Sequence, residues 1–102
     1  MNKIVVGTTP TIKYVFSKVN VNDINIAILT ISRYNQVLIT KTLDDATVGE
    51  DFISFILTQQ ETLDIGVGEA EIMLNWVDNS GVRGTGKTAQ VKFLDNDIKE
   101  VL

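Results

Sequence analysis

The sequence predicts an all-β domain, a β-sandwich of about seven short antiparallel strands. Three observations carry that expectation. The stretch Glu69 to Leu94 alternates at period 2 on both sides of a turn cluster. Turn-forming clusters recur roughly every ten residues along the chain. No long stretch repeats at helical spacing, and the one clear helix-start signal, at Thr58, is soon followed by two glycines.

Taken in order, Ile4 to Val6 is a short apolar run that can start a strand, and Gly7-Thr8-Thr9-Pro10 breaks it. Pro10 is the only proline; lacking an amide donor, it suits a strand's first residue or an edge. From Thr11 to Phe16 the chain alternates, with Ile12, Tyr14 and Phe16 on one face and Lys13 and Val15 on the other. Asn20, Asn22 and Asp23 mark a turn. Ile24 to Ile31 is then apolar on both faces: Ala27, Leu29 and Ile31 share one side, and Ile24, Ile26 and Ile28 share the other. Its isoleucines favour a strand, either covered twice or meeting a partner. Arg33 to Gln36 is a turn, and Val37 to Thr42 a further strand with Val37 and Ile39 opposite Leu38 and Thr40.

Asp44 to Asp51 reads as an acidic loop turning at Gly49. Phe52 to Leu57 is a strand with Ile53, Phe55 and Leu57 on one face. Thr58 and Glu61 have capping-box spacing, so each can satisfy a backbone amide of the other at the start of one short helical turn. In the Glu69 hairpin, Ala70, Ile72, Leu74 and the only tryptophan, Trp76, point inward and Glu71, Met73 and Asn75 outward. Asp78-Asn79-Ser80-Gly81 turns the chain, and Ala89, Val91 and Phe93 resume the alternation. Residues 95–102 form a polar tail with a weak helical option. A single domain over residues 1–102 is expected, since 102 residues at 44% hydrophobic suffice for one core and no more.

Composition narrows the chemistry. The net charge is −4 and the nine basic residues are scattered, which argues against nucleic acid as a partner. With no cysteine and no histidine, disulfides, thiolate nucleophiles, Cys or His metal sites and the Ser-His-Asp arrangement are all excluded. Gly81 to Thr88 matches the phosphate-loop pattern G-x-x-x-x-G-K-[ST] at every fixed position. That loop requires a following helix, whereas Ala89, Val91 and Phe93 alternate as a strand. A glycine-rich hairpin connection is expected instead, with no nucleotide and no cofactor. The acidic residues Asp44, Asp45, Glu50 and Asp51 lack calcium-ligand spacing, and Asp95-Asn96-Asp97 lacks the glycine and glutamate that would complete such a loop, so no metal is expected. No enzymatic activity is expected. The run Ile4 to Val6 is too short for a signal-peptide core and no segment is long enough to span a membrane, so synthesis in the cytoplasm and no membrane partner are expected.

The residues with most to say about function are Ile26, Ile28 and Met73. If Ala27, Leu29 and Ile31 face the core, these three lie on the outer face, where they form a candidate partner interface. Trp76, Phe55 and Phe93 are expected in the core.

Several segments also resemble a known group. Gly7-Thr8-Thr9-Pro10-Thr11, then Leu57-Thr58-Gln59 with Glu61-Thr62-Leu63, then Ala70-Glu71-Ile72-Met73-Leu74-Asn75-Trp76 with its glycine turn and closing strand occur in an order that covers nearly the whole chain. This order resembles short structural proteins of tailed phages of Gram-positive bacteria, and is similar to the N-terminal domain of phage baseplate upper proteins. The resemblance implies an immunoglobulin-like sandwich, made in the host cytoplasm and built into the virion. Its implied partners are other tail or baseplate proteins, with a homo-oligomer as a further option, and it carries over no functional residues. The alternative is a carbohydrate- or cell-surface-binding sandwich that uses loop-tip residues such as Tyr34 and Asn35.

Overall fold

The computed structural model describes residues 2–86 and 89–97. The chain runs β1 (Asn2–Val5), β2 (Thr11–Val15), β3 (Ile24–Arg33), β4 (Gln36–Thr42), β5 (Ala46–Val48), β6 (Phe52–Ile56), α1 (Gln59–Ile65), β7 (Gly68–Asp78), β8 (Arg83–Thr85) and β9 (Ala89–Leu94). The larger sheet has the order β1-β9-β7-β3-β4, with β8 added to β7, and the smaller has the order β2-β6-β5. The two sheets bury one core between them, so the all-β, two-sheet expectation holds.

Each inner face follows from alternation. Ala27, Leu29 and Ile31 of β3, Ala70, Ile72 and Leu74 of β7, and Val91 and Phe93 of β9 meet Ile53 and Phe55 of β6, with Leu57 just beyond it. The Val, Leu, Ile and Phe side chains among them each contribute about 1.5–3 kcal/mol, and together they outweigh any local preference of the chain. Trp76 differs from expectation. It lies on the inner face but is only half-buried at the end of β7, where Phe16 meets it edge-on with ring centroids 6.1 Å apart.

Among the described residues there are nine strands. Two of them lie where loops were expected. The acidic stretch contains a 3₁₀ turn, Leu43–Asp45, and then β5; the glycine-rich connection contains β8. Both are three residues long and exist because a neighbouring strand offers unpaired backbone groups. The pairing is also not wholly antiparallel, because β1 runs parallel to β9.

Two register shifts correct the assignment of faces. One falls between Ile24 and Ile26 where β3 pairs with β7. A bulge lets two residues oppose one, so Ile24 turns into the core while Ile26 and Ile28 stay outside. The other falls between Ile31 and Ser32 where β3 pairs with β4. Ile39 lies opposite the buried Ile31, but Val37 lies opposite Ser32 and is exposed, so Val37 and Ile39 do not share a face.

The helix is local chemistry. Thr58 Oγ1 accepts from the Glu61 amide (3.1 Å), and Glu61 Oε1 accepts from the Thr58 amide (2.8 Å). Gly66 ends it at φ +74, a conformation that L side chains adopt rarely. Thr62, fully buried, joins α1 to the β1–β2 connection: its Oγ1 accepts from the Gly7 amide (2.9 Å) and lies 2.9 Å from the Thr8 carbonyl, to which it donates. The expected tail lies mostly outside the described residues, at 98–102. Within the part described, Asn96 Nδ2 donates to the Val6 carbonyl (2.9 Å).

Candidate functional site

The antiparallel pairing of β3 with β7 puts Ile26, Ile28 and Met73 on the outer face of one sheet. Ile26 lies opposite Val77, Ile28 opposite Asn75, and Met73 opposite Thr30. Met73 is therefore a diagonal neighbour of Ile28, within reach for a long side chain. Ile26 and Ile28 are 47% and 37% exposed; β7 pairs along both, whereas the pairing with β4 begins only at Ile28. Met73 is half-buried.

The two isoleucines form a ridge between two hollows. On one side is an open groove of about 520 Å³, bounded by Ile26 and Ile28, floored by Asn75, and closed by Trp76, Arg83 and Thr85. The Thr85 hydroxyl donates to Asn75 Oδ1 (3.0 Å), which fixes β8 as the far wall. On the other side a hollow of about 240 Å³ runs to Thr42 and Asp44. Met73 lines neither hollow. The sequence showed the ridge through its isoleucines but not the groove, because β8 is visible only once it pairs; the alternation of Arg83 and Thr85 about Gly84 is too short a signal.

Gly84 is the closest approach at this site. A Cβ there would fall 2.0 Å from Trp76 Cζ2, so only glycine lets β8 lie against the indole. Trp76 also borders a second groove, of about 480 Å³, together with Tyr14, Phe16, Ser17 and Lys18.

The hairpin tip between β3 and β4 is Tyr34-Asn35, with both residues at positive φ (53° and 63°). Two such residues suit the right-handed twist of the strands they join. Tyr34 is 95% exposed. The neighbouring Arg33 is committed to the fold: Nη1 donates to the Ile65 carbonyl (2.7 Å), Nη2 to Gly66 (3.3 Å) and Nε to Glu69 (3.0 Å). It thereby satisfies carbonyls at the end of α1.

Two acidic side chains, Asp45 of the acidic stretch and Asp78 of the β7–β8 turn, have structural roles. Asp45 Oδ2 accepts from the Thr42 amide (3.0 Å), and Asp78 Oδ1 accepts from the amides of Ser80 and Val82 (2.9 Å each). Among the described residues no group of three acidic side chains is arranged to hold a metal ion. In the phosphate-loop match, the Gly81 amide donates to the Asp78 carbonyl (3.0 Å) and the Gly86 amide to Leu74 (2.7 Å). The strand β9 follows where that loop requires a helix. Lys87 and Thr88 lie outside the described residues. No helix among the described residues is long and apolar enough to cross a membrane.

No family model matches this chain, and neither does any curated protein. Solved structures do match. One is a candidate glycoside hydrolase from Bacteroides vulgatus ATCC 8482, with a TM-score of 0.56 and 13% identity over 94% of this chain. The chain spans only 17% of that structure's length, and at that identity the similarity is one of fold.

Proposed function

We infer that this chain is a non-catalytic interaction module of the immunoglobulin-like class, and that the ridge of Ile26 and Ile28, with Met73 beside it, is where a protein partner binds. The sheet orders β1-β9-β7-β3-β4 and β2-β6-β5 support the immunoglobulin-like reading, as does the parallel placement of the first and last strands. The observation that carries the function is the exposure of two isoleucines that follow one another on the outer face of β3. The flanking groove adds Arg83, a residue type that anchors interfaces. The resemblance in sequence to phage tail and baseplate proteins makes other virion proteins the expected partners, with self-association as the variant of that reading.

The test is Ile26→Asp and Ile28→Asp. A carboxylate is solvated on the free domain and stranded in a dry contact. Both variants are expected to keep the parent's circular dichroism melt while losing self-association in sedimentation or co-purification with neighbouring tail proteins. Unfolding of either variant, or unchanged assembly by both, removes the ridge from consideration.

A second reading, carbohydrate binding, rests on the groove lined by Tyr14, Phe16 and Trp76, since aromatic faces stack on sugar rings. Quenching of tryptophan fluorescence by a soluble glycan, abolished in Phe16→Ala, is what that reading requires.

A further inference from the structure

The flank of the sandwich beside β1 and β2 is open. A cleft of about 450 Å³ separates the two edges, with Ile4, Ile12, Tyr14, Ile72 and Val91 on its walls and floor. These are inward-facing residues of both sheets, so the floor of the cleft is the core itself. Ile12 and Tyr14 stay half-buried because, among the described residues, no strand pairs with β2 on the side away from β6.

The hydrogen bonds that flank β2 set which backbone groups face that side. The Pro10 carbonyl accepts from the Leu57 amide (3.0 Å), and the Phe16 amide donates to the Asp51 carbonyl (2.7 Å). Partners on an antiparallel ladder alternate between bonded and non-bonded pairs. Even-numbered residues of β2 therefore bond β6, and the amides and carbonyls of Thr11, Lys13 and Val15 point to the open edge. Val15 is 64% exposed there.

We propose that the β2 edge takes up an extended segment of another protein as an added strand, and that this segment alternates apolar and acidic residues. Residues in register with Ile12 and Tyr14 point into the cleft and are apolar. Residues in register with Lys13 point outward, on the face where its ammonium lies 4.3 Å from the centre of the Phe52 ring. A carboxylate opposite Lys13 completes a cross-strand pair of opposite charge. The same lysine selects against a second copy of this chain, since an antiparallel β2–β2 pairing centred on Lys13 sets it against itself. A lysine on a bare edge also guards against unselective pairing, which leaves the edge available to an acidic strand alone. Main-chain bonds then supply affinity and the cleft supplies specificity.

The experiment is nitrogen-15 NMR of the whole chain with a capped peptide of alternating valine and glutamate, and a valine–lysine peptide beside it. The glutamate peptide is expected to shift the amide signals of Thr11, Lys13 and Val15 and to slow their hydrogen exchange, with the lysine peptide at least about tenfold weaker. Val15→Pro removes one outward amide and no bond to β6, so it is expected to fold and to lose the peptide. Lys13→Glu is expected to reverse the preference between the two peptides, which keeps the test decisive if the proline variant does not fold. Ile26→Asp is expected to bind the peptide unchanged, separating this edge from the ridge. Absence of binding, equal binding of both peptides, or shifts centred on β3 and β7 overturns the proposal.

Discussion

Lys41 Nζ lies 2.7 Å from Glu61 Oε1, and through that contact the edge strand β4 holds the first turn of α1. Partial burial works to raise the Glu61 carboxyl. The hydrogen bonds from Lys41 and from Thr58, with the Lys41 charge, outweigh it and hold the group below the ordinary glutamate range. A carboxyl depressed in the folded state adds stability above its unfolded value, about 4.3, and that stability is lost as pH falls through the folded value. Glu61→Gln is therefore expected to melt below the parent at neutral pH, by roughly 0.5–1 kcal/mol. The gap should close in melts taken well below pH 4, and a gap that persists there contradicts the ion-pair origin.

Thr62→Val keeps the shape of a fully buried side chain and removes its hydroxyl. The Gly7 amide and the Thr8 carbonyl then lose their partner together. A cost of about 1–3 kcal/mol is expected in urea unfolding. Thr62→Ser, which keeps the hydroxyl, should cost less; if it costs more, packing of the methyl group is the larger effect.

Gly84→Ala places a methyl group inside the Trp76 ring. Either the indole moves or β8 leaves β7, at about 1–3 kcal/mol. A changed tryptophan emission maximum with a lowered melting temperature is expected. An unchanged spectrum and melt would mean that β8 does not lie against the indole.

Tyr34 occupies a left-handed position and is almost wholly exposed. Glycine there sheds about 1–2 kcal/mol of steric cost and gives back about 0.5–1 kcal/mol in entropy. Tyr34→Gly should therefore melt slightly above the parent. A loss of stability would reveal a contact that the tyrosine ring makes within the domain.

What could be read in advance was what is local or strictly periodic. Ala70, Ile72 and Leu74 declare a buried face by alternation, and Thr58 with Glu61 declares a helix start by spacing. Ile24 shows the limit of that reasoning: its alternation is broken by a bulge that only the partner strand β7 specifies. The strands β5 and β8 have no pattern long enough to detect and are created by pairing. Of the candidate site, Ile26 and Ile28 were legible as outward isoleucines. The groove beside them was not, because Arg83 and Thr85 reach it through tertiary pairing alone.

The parallel ladder between β1 and β9 has a mechanical consequence. Asn2 lies beside Val91 and Val5 beside Leu94, so the chain enters at one end of this ladder and leaves at the other. Tension applied between Asn2 and Asp97 pulls the two strands lengthwise in opposite directions. The ladder bonds are then loaded in shear and must fail together, whereas a hairpin pulled from its open end unzips one bond at a time. Asn96, bonded to the Val6 carbonyl, adds a clasp in the same line of force. Single-molecule stretching through these two points should show one abrupt rupture, at a higher force than pulling across the β3–β4 hairpin.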